Sequence, residues 1–592
     1  MVKKVKSACP MDCFDACALI ATVKNGRVTG IDGDQAHPLT KGALCTKGRK
    51  ILERTYHPRR LTRPRKKTST GWIDISWNQA IDEIAGRLSR IVEEQGPLGI
   101  LKYSDCGYGG LIKKVDDLFF NHLGGVTLPH GSLCWSAGIA AQEYDFGDVR
   151  GHSPEDMAKA RTIILWGRNP ADTNLHLVHH LRQAKKRGAR IFLIDPIKTA
   201  SRRFADVYLS VRPATDGALA LGLAAYMIQN NLHDIEFIKS HVNGFEAFRN
   251  YAARFTPEKV NAITGIDINL FLHLAETYAT QKPATIILGY GLQRYQNSGN
   301  TIRCIDALGA VTGNIGISGG GVNYANRTLS RYIGGELKKS ASRVTHHRTF
   351  PLARLGDFLS RAKDPSVQCL FILKANPLVQ MPDINNTLKA FQSVPFKVVY
   401  DLFMTDTARH ADMVLPGTSV LEEEDVVFTN MFSPYINYSE RAVQPPDGVM
   451  SEYDFFSALA AKMGLRHYPR LSRRAFLEDT LEPLKRRCRI ELDDLKTGYF
   501  SLPNSAVPWK NKQFNTPSGK FELYSQQAEK DGHSPIPVFI EPRRNDQTYP
   551  LRLMTPHHKD SMHSQHFAFV DGRPIAYLNP AMIEKYRLRD GR

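Results

Sequence analysis

The stretch DPIKTASRRFADVYL, residues 195–209, and the stretch DLFMTDTARHADMVL, residues 401–415, read as one sequence written twice. They match at Asp195/Asp401, Thr199/Thr405, Arg203/Arg409, Ala205/Ala411, Asp206/Asp412 and Leu209/Leu415, and Ser201 faces Thr407. Each is preceded by the same arrangement. RTIILWGRNP is an apolar run into Asn169-Pro170, and CLFILKANP is another into Asn376-Pro377. Both runs suit buried strands. From Asn-Pro to the strand-end Asp the spacing is 26 residues in the first copy and 25 in the second. In the first copy NLHLVHHLRQAKKRG fills the gap, with Leu177, Leu181 and Ala184 on one helical face and Gly188 as the stop. The unit is β-α-β, and the fold class is α/β with a repeated module.

In open parallel sheets, ligands sit beyond the carboxyl ends of the strands. Asn169 and Asn376 are placed there and offer both donor and acceptor atoms. Asp195 and Asp401 fall at the next strand ends, where a carboxylate can accept from ribose hydroxyls or from the N1–H and N2–H₂ edge of guanine. Asp206 and Asp412 read equally well as structural or as ligand-binding residues. Two modules imply two bound nucleotides, or one long ligand with two ends.

A second signal is CPMDCFDAC, residues 9–17, answered by LCTKG at 44–48. Cys9, Cys13, Cys17 and Cys45 are spaced as three close thiols plus one returning after a loop. That suits a [4Fe-4S] cube, whose irons each take one thiolate. Structural zinc prefers two close Cys/His pairs. Disulfides need an oxidising compartment, and MVKKVKSACP has no apolar export segment, so the expected location is cytoplasmic. Alternating runs broken by Gly and Pro make residues 1–60 a small β domain.

The chain has 592 residues, enough for about four domains of roughly 150 residues each. No apolar run approaches the ~20 residues a membrane span needs. The net charge is +19. No nucleic-acid-binding motif accompanies it, and the basic residues are scattered, so nucleic acid is not expected as a partner. The densest run, Arg59 to Lys67, reads as a solvated linker, with a docking strip for an acidic electron carrier as the functional alternative. Of the remaining cysteines, Cys106, Cys134, Cys304, Cys369 and Cys488, most are expected to be buried small hydrophobes.

Elsewhere, Ile81, Ile84, Ala85 and Leu88 mark an amphipathic helix ending near Gly96. The strand GILKYS follows, then a Gly-rich turn at 106–110 and a helix over roughly 111–122. Cys304 falls on a possible helix. Gly319-Gly320-Gly321 calls for positive φ or close approach to a ligand. Glu422 to Asp425 reads as a solvated acidic turn. After about residue 513 the pattern reads as β. His557, His558, His563 and His566 fit no usual metal set and read as ligand contacts or plain surface.

Together these motifs resemble the molybdenum or tungsten bis(molybdopterin guanine dinucleotide) oxidoreductases of the dimethyl-sulfoxide-reductase type. The resemblance is carried by CPMDC with HPLTKGALCTKG, ISWNQAIDEIA, the GSLCWSAG segment around Cys134, WGRNP–IDP–RPATD, VTGNIGISGGG, KANP–YD–TDTARHADMVLPG and the C-terminal NPA–RDGR, nearly the whole chain. It implies four domains: a [4Fe-4S] domain at 1–60 joined by parts of 430–510, two related Rossmann-like α/β domains, and a C-terminal β-barrel domain at 511–592 that looks truncated. The α/β domains would be 61–133 with 330–430, and 134–329. It further implies that Cys134 is the protein ligand to the metal and Lys47 the relay between cluster and pterin. Gly167, Asn169, Asp195, Asp216, Asn376, Asp401, Thr405 and Asp412 would hold the two nucleotides. The departures are Ala214, where glycine is usual, and the acidic run at 422–425.

The implied activity is two-electron chemistry on a small substrate, with a protein electron carrier or Fe–S subunit as partner. A hydratase on the same scaffold, with Asp12 as its acid, is the alternative, and a metal-free electron-transfer subunit is another. Formate oxidation is not expected, because Trp135 follows Cys134 and indole is no base. The chain stops just after Asp590-Gly591, where a turn into a further strand is expected, so the cap over the pterins is expected to be incomplete.

Overall fold

A computed structural model describes residues 1–335, 337, 346–503, 506–543, 548–566 and 575–589. The two copies of the repeat lie in two different sheets. The first sheet has five parallel strands in the order Val207–Leu209, Arg190–Ile194, Thr162–Trp166, Ala284–Leu288, Val322–Asn323. The second has eight, in the order Arg348–Pro351, Thr127–His130, Ile100–Ser104, Cys369–Leu373, Phe396–Asp401, Met413–Pro416, Arg65–Thr68, Gly71–Asp74. Its first six strands are parallel, and the last two add antiparallel at the edge. The central strands are buried along their length, as helices on both faces require, which is why they read as unbroken apolar runs.

The repeat is a structural repeat down to single hydrogen bonds. Asn169 Oδ1 accepts from Ser201 Oγ, and Asn376 Oδ1 accepts from Thr407 Oγ1, each at 2.6 Å. The same hydroxyls accept from the backbone N–H of Ala171 and of Leu378, each at 3.1 Å. Asp206 accepts from the N–H of Ile191 and Asp412 from that of Lys397, each at 2.8 Å. Those two carboxylates therefore clip the amino ends of Arg190–Ile194 and Phe396–Asp401, the end of each sheet away from the ligand edge. Lys185 and Lys397 complete the clips at 2.7 and 2.9 Å. Asp412 is thus a structural residue, correcting the nucleotide-binding role expected for it, and the even reading of Asp206 resolves the same way.

The helix Trp77–Gln95 begins at a capping box between Ser76 and Gln79 and ends at Gly96, whose φ is +79°. The predicted helix over 111–122 is a short 3₁₀ turn running into Val115–His122. Cys304 lies on the helix Ser298–Val311, fully buried. The N-terminal segment forms an antiparallel sheet of Val2–Ala8, Ala18–Lys24 and Arg27–Gly33, followed by the helix Thr46–Thr55.

Four expectations are corrected. The basic run is no solvated linker: Arg60 is 8% exposed and bonded to Glu422, and Arg65–Thr68 is a sheet strand. The acidic run is no solvated turn: Glu422, Glu423 and Asp425 are buried, paired with Arg60, with Lys113 and with the N–H of Ile112. Of the five remaining cysteines only Cys304 and Cys369 are buried. Beyond residue 511 the described residues hold one strand, Phe521–Glu522, and two short helices, Gln526–Lys530 and Pro580–Lys585, rather than a β-barrel. Pro542, Pro550 and Pro556 withhold ladder N–H groups from that segment. The Asp590-Gly591 turn lies outside the described residues. Among the described residues no helix is long and apolar enough to cross a membrane.

Candidate functional site

A cavity of about 910 Å³ opens at the carboxyl edge of the five-stranded sheet. Its wall includes Gly167, Asn169, Asp195, Thr199 and Asp216 from the first module, Asp12 and Cys13 from the N-terminal loop, and Cys134. Residues 552–558 and 561–563 close it from the far side. At one point the backbone itself forms the wall: a Cβ on Gly289 would meet Gly167 O at 1.7 Å, and Gly167 has φ +60°. Ala214, standing where glycine is usual, also takes a left-handed φ of +69° on this wall, a strain of roughly 1–2 kcal/mol for a residue with a Cβ.

The polar groups of the wall are in part unsatisfied. Among the described residues, Thr199 Oγ1 and Tyr290 Oη are shielded from solvent and have no hydrogen-bond partner. Burial pushes the Asp195 carboxyl up to about 6, with Asp216 adding to it and the Ile197 N–H opposing it. Asp216 is likewise raised to about 6 by burial, although Trp166 Nε1 donates to it at 2.8 Å. Buried polar atoms of lining residues that lack a partner are what a small rearrangement around a polar ligand edge would satisfy. Asn169 is occupied inside its module by both amide atoms, since Nδ2 donates to Asp172 at 2.7 Å. These bonds shape the turn and leave one N–H and one lone pair of the amide for a ligand.

The second module faces elsewhere. Asn376, Asp401 and Thr405 do not line this cavity. Asp401 accepts from the N–H groups of Leu402 and Phe403 at 2.6 and 3.2 Å. Burial raises its carboxyl, and the Arg54 charge opposes that shift. Thr405 caps the turn Asp406–Arg409. Arg54 and Lys47 both belong to the helix Thr46–Thr55. Seven residues of helix separate them by about 10 Å. That helix therefore spans the gap between modules, with Lys47 Nζ donating to Asp172 O at 2.8 Å on the first side and Arg54 beside Asp401 on the second. Lys47 Nζ also donates to Lys559 O at 3.2 Å, in the segment between the two that close the cavity; neither Lys47 nor Lys559 lines it.

Cys9, Cys13, Cys17 and Cys45 sit at the foot of the same helix. Burial pushes the Cys9 thiol up to about 12, and the neighbouring Cys45 thiol raises it further. Cys13 and Cys17 are raised by burial, by Asp15 and by the other cysteines. Four neighbouring thiols, two buried and two half-buried, with no disulfide among them are a donor set for soft metal. Among the described residues no three His, Cys, Asp or Glu side chains close on one point as a single-ion site would need. A cubane spreads its thiolates over four irons.

Cys134 lies just ahead of the helix Ser136–Phe146. Ser132 Oγ accepts from the N–H groups of Cys134 and Trp135, both at 3.2 Å, and fixes the turn that aims the sulfur at the cavity. Burial pushes this thiol up to about 12, with Asp12 contributing and Arg294 opposing. Opposite it Asp12 meets His563 Nε2 at 3.2 Å. His557 and His558 also line the wall, while His566 bonds Lys47 O at 3.1 Å. The His563–Asp12 pair was not legible in the sequence, because its members are 551 positions apart. The Gly319 and Gly321 turns meet Ala160 and His152 rather than the cavity.

The profile of the molybdopterin oxidoreductase family matches residues 60–462, and that of the molybdopterin oxidoreductase Fe4S4 domain matches residues 2–57. The chain belongs to the molybdopterin oxidoreductase family. A probable oxidoreductase of Bacillus subtilis, YyaE, is 38% identical over 96% of this chain and 86% of its own length. The alpha subunit of an F420-dependent formate dehydrogenase from Methanocaldococcus jannaschii is 30% identical over 78% of this chain and 70% of its own. The solved structure of acetylene hydratase from Pelobacter acetylenicus superposes with a TM-score of 0.77 at 26% identity, covering 91% of this chain and 80% of that one. As a molybdopterin oxidoreductase the chain uses a [4Fe-4S] cluster and a molybdenum or tungsten bis(molybdopterin guanine dinucleotide). The four neighbouring thiols, the polar lining residues and the backbone-lined contact at Gly167 and Gly289 fit those groups.

Proposed function

We propose that this molybdopterin oxidoreductase carries out two-electron chemistry on a small substrate in the 910 Å³ cavity, with electrons passing through the cluster of Cys9, Cys13, Cys17 and Cys45. The observation that carries the reading is that Cys134, the Asp12–His563 pair and cluster residue Cys13 share one cavity wall. The bound metal would supply the two-electron exchange with an oxygen, sulfur or hydrogen centre. Cys134 would anchor the metal from the helix end. Asp195, Asp216 and Thr199 would take the guanine or ribose edge of one nucleotide, and Asp401 and Thr405 the other. Lys47, hydrogen-bonded between Asp172 O and Lys559 O, would turn its third N–H toward the pterin and favour its reduced, more negative state. The Asp12–His563 pair would hold and move the protons that accompany oxygen-atom removal, which consumes two protons and two electrons and releases water. A one-electron protein carrier or an Fe–S subunit would exchange electrons with the cluster.

Asp12 on the cavity wall and the likeness to acetylene hydratase favour a second reading, hydration without net electron transfer. Anaerobically purified protein should contain molybdenum or tungsten, release about two GMP per metal on acid hydrolysis, one for each module, and oxidise reduced viologen with S- or N-oxides or polysulfide. A GMP ratio of one would leave one module purely structural. Hydration of acetylene with no dye turnover by any acceptor would establish the second reading instead. Formate should drive little dye reduction, because Trp135, whose ring lies tilted against Tyr290 at 5.8 Å, carries no base; rapid formate-dependent reduction would overturn that point.

A further inference from the structure

The turn that leaves the first module is bonded to the cluster loop at several points. Cys13 Sγ lies 4.0 Å from Thr173 O. Asn174, 1% exposed, donates from Nδ2 to Asp15 Oδ1 at 2.5 Å, and Arg168 Nη2 donates to Asn174 Oδ1 at 2.7 Å. The Arg168 guanidinium stacks 3.4 Å over the Phe14 ring. The first turn of the helix Leu175–Lys186 then presents His176, 4% exposed, with Nε2 3.1 Å from Cys17 Sγ. The His176 backbone N–H is directed to the Asp15 carboxylate. His176 is therefore held by its own backbone, and among the described residues its ring has one short polar contact, the sulfur of a proposed iron ligand.

A thiolate bound to iron has no proton to give, so a 3.1 Å contact with it requires the proton on Nε2. Such a hydrogen bond draws charge from the sulfur and favours the reduced, more negative cluster, and hydrogen bonds to the sulfurs are among the terms that set the potential. The low dielectric around two buried residues makes the effect larger than in water. We propose that His176 is a positioning residue of the electron relay: its Nε2–H hydrogen-bonds the Cys17 thiolate and raises the reduction potential of the [4Fe-4S] cluster. The same helix and turn end at Asn169 on the cavity wall, so the element that shapes the nucleotide site also tunes the cluster that exchanges electrons with it. This inference rests on ligation of the cluster by Cys9, Cys13, Cys17 and Cys45. Iron and sulfide content reports that ligation separately from the potential.

The test is an EPR-monitored redox titration of the purified full-length holoprotein. His176→Leu should keep four irons and shift the midpoint to more negative potential. His176→Gln, which retains a donor, should stay nearer the wild type. An unchanged midpoint in a four-iron His176→Leu protein would overturn the proposal. Where that variant fails to assemble the cluster, the reading comes from wild-type protein carrying ring-¹⁵N histidine. The reduced cluster should then show a hyperfine coupling to ¹⁵N that disappears in His176→Gln. No such coupling would overturn the proposal equally.

Discussion

Cys134→Ala should leave the four-iron cluster in place and depress dye-linked turnover by more than about a hundredfold, the scale on which misplacing a reacting centre by an ångström acts. The sulfur stands at the cavity wall just before the helix Ser136–Phe146, on a turn pinned by Ser132. A helix amino end favours a thiolate, yet burial dominates here and holds the bare thiol at about 12. At neutral pH the metal-free protein therefore carries a neutral thiol. On the proposed ligation, binding of the metal would displace that proton, and the soft thiolate would suit a centre already rich in sulfur. Cys134→Ser should restore little, because a hard alkoxide is a poor substitute. Turnover of Cys134→Ala within a few-fold of wild type, at equal metal content, would remove this residue from the site.

Most of the α/β framework was legible, because the signals that carry it are local. Apolar runs of strand length end in Asn-Pro or Asp, and the helix Leu175–Lys186 shows its period of 3.6. The repeat could be found without any structure because each module needs the same hydroxyl, at Ser201 and at Thr407, to tie its turn. The same logic hid the division of labour inside the motif. Asp206 and Asp412 recur as regularly as Asp195 and Asp401, but recurrence records a shared need, and at Asp412 that need is the N–H of Lys397. Sequence does not say which end of a strand a carboxylate faces until the register is known.

What stayed illegible was pairing across long separations. Asp12 and His563 meet from opposite ends of the chain. His176 looks like any histidine on an amphipathic helix until Cys17 is seen beside it. The run Glu422 to Asp425 has the composition of a solvated turn, and only its partners, Arg60 and Lys113, explain how charge so dense can be buried. Beyond residue 511 the described residues bear out only the two-residue strand Phe521–Glu522 of the β pattern read from the sequence.

Arg60→Met should destabilise the protein by about 3–5 kcal/mol, the cost of leaving a buried charge without its partner. The Arg60 and Glu422 side chains are 3% and 2% exposed and pair through two bonds of 2.6 Å. Arg60 also donates to Thr55 O at 2.8 Å and to Gly417 O at 3.2 Å. Glu422 further accepts from the Ser419 N–H at 2.8 Å. The pair thus fastens the end of the helix Thr46–Thr55, which Cys45 caps, to the segment that follows the second module. Loss of the pair loosens the helix that carries both Lys47 and Arg54. Removing both charges is a different matter, since an apolar pair of similar volume avoids the desolvation cost. Arg60→Met with Glu422→Leu should therefore recover much of the loss, although the carbonyls of Thr55 and Gly417 and the Ser419 N–H then lack their partners. The readout is thermal unfolding of the two single variants against the double, in protein of equal cofactor content. A double variant as unstable as the sum of the singles would mean that the two side chains act independently, and that the helix is held by other contacts.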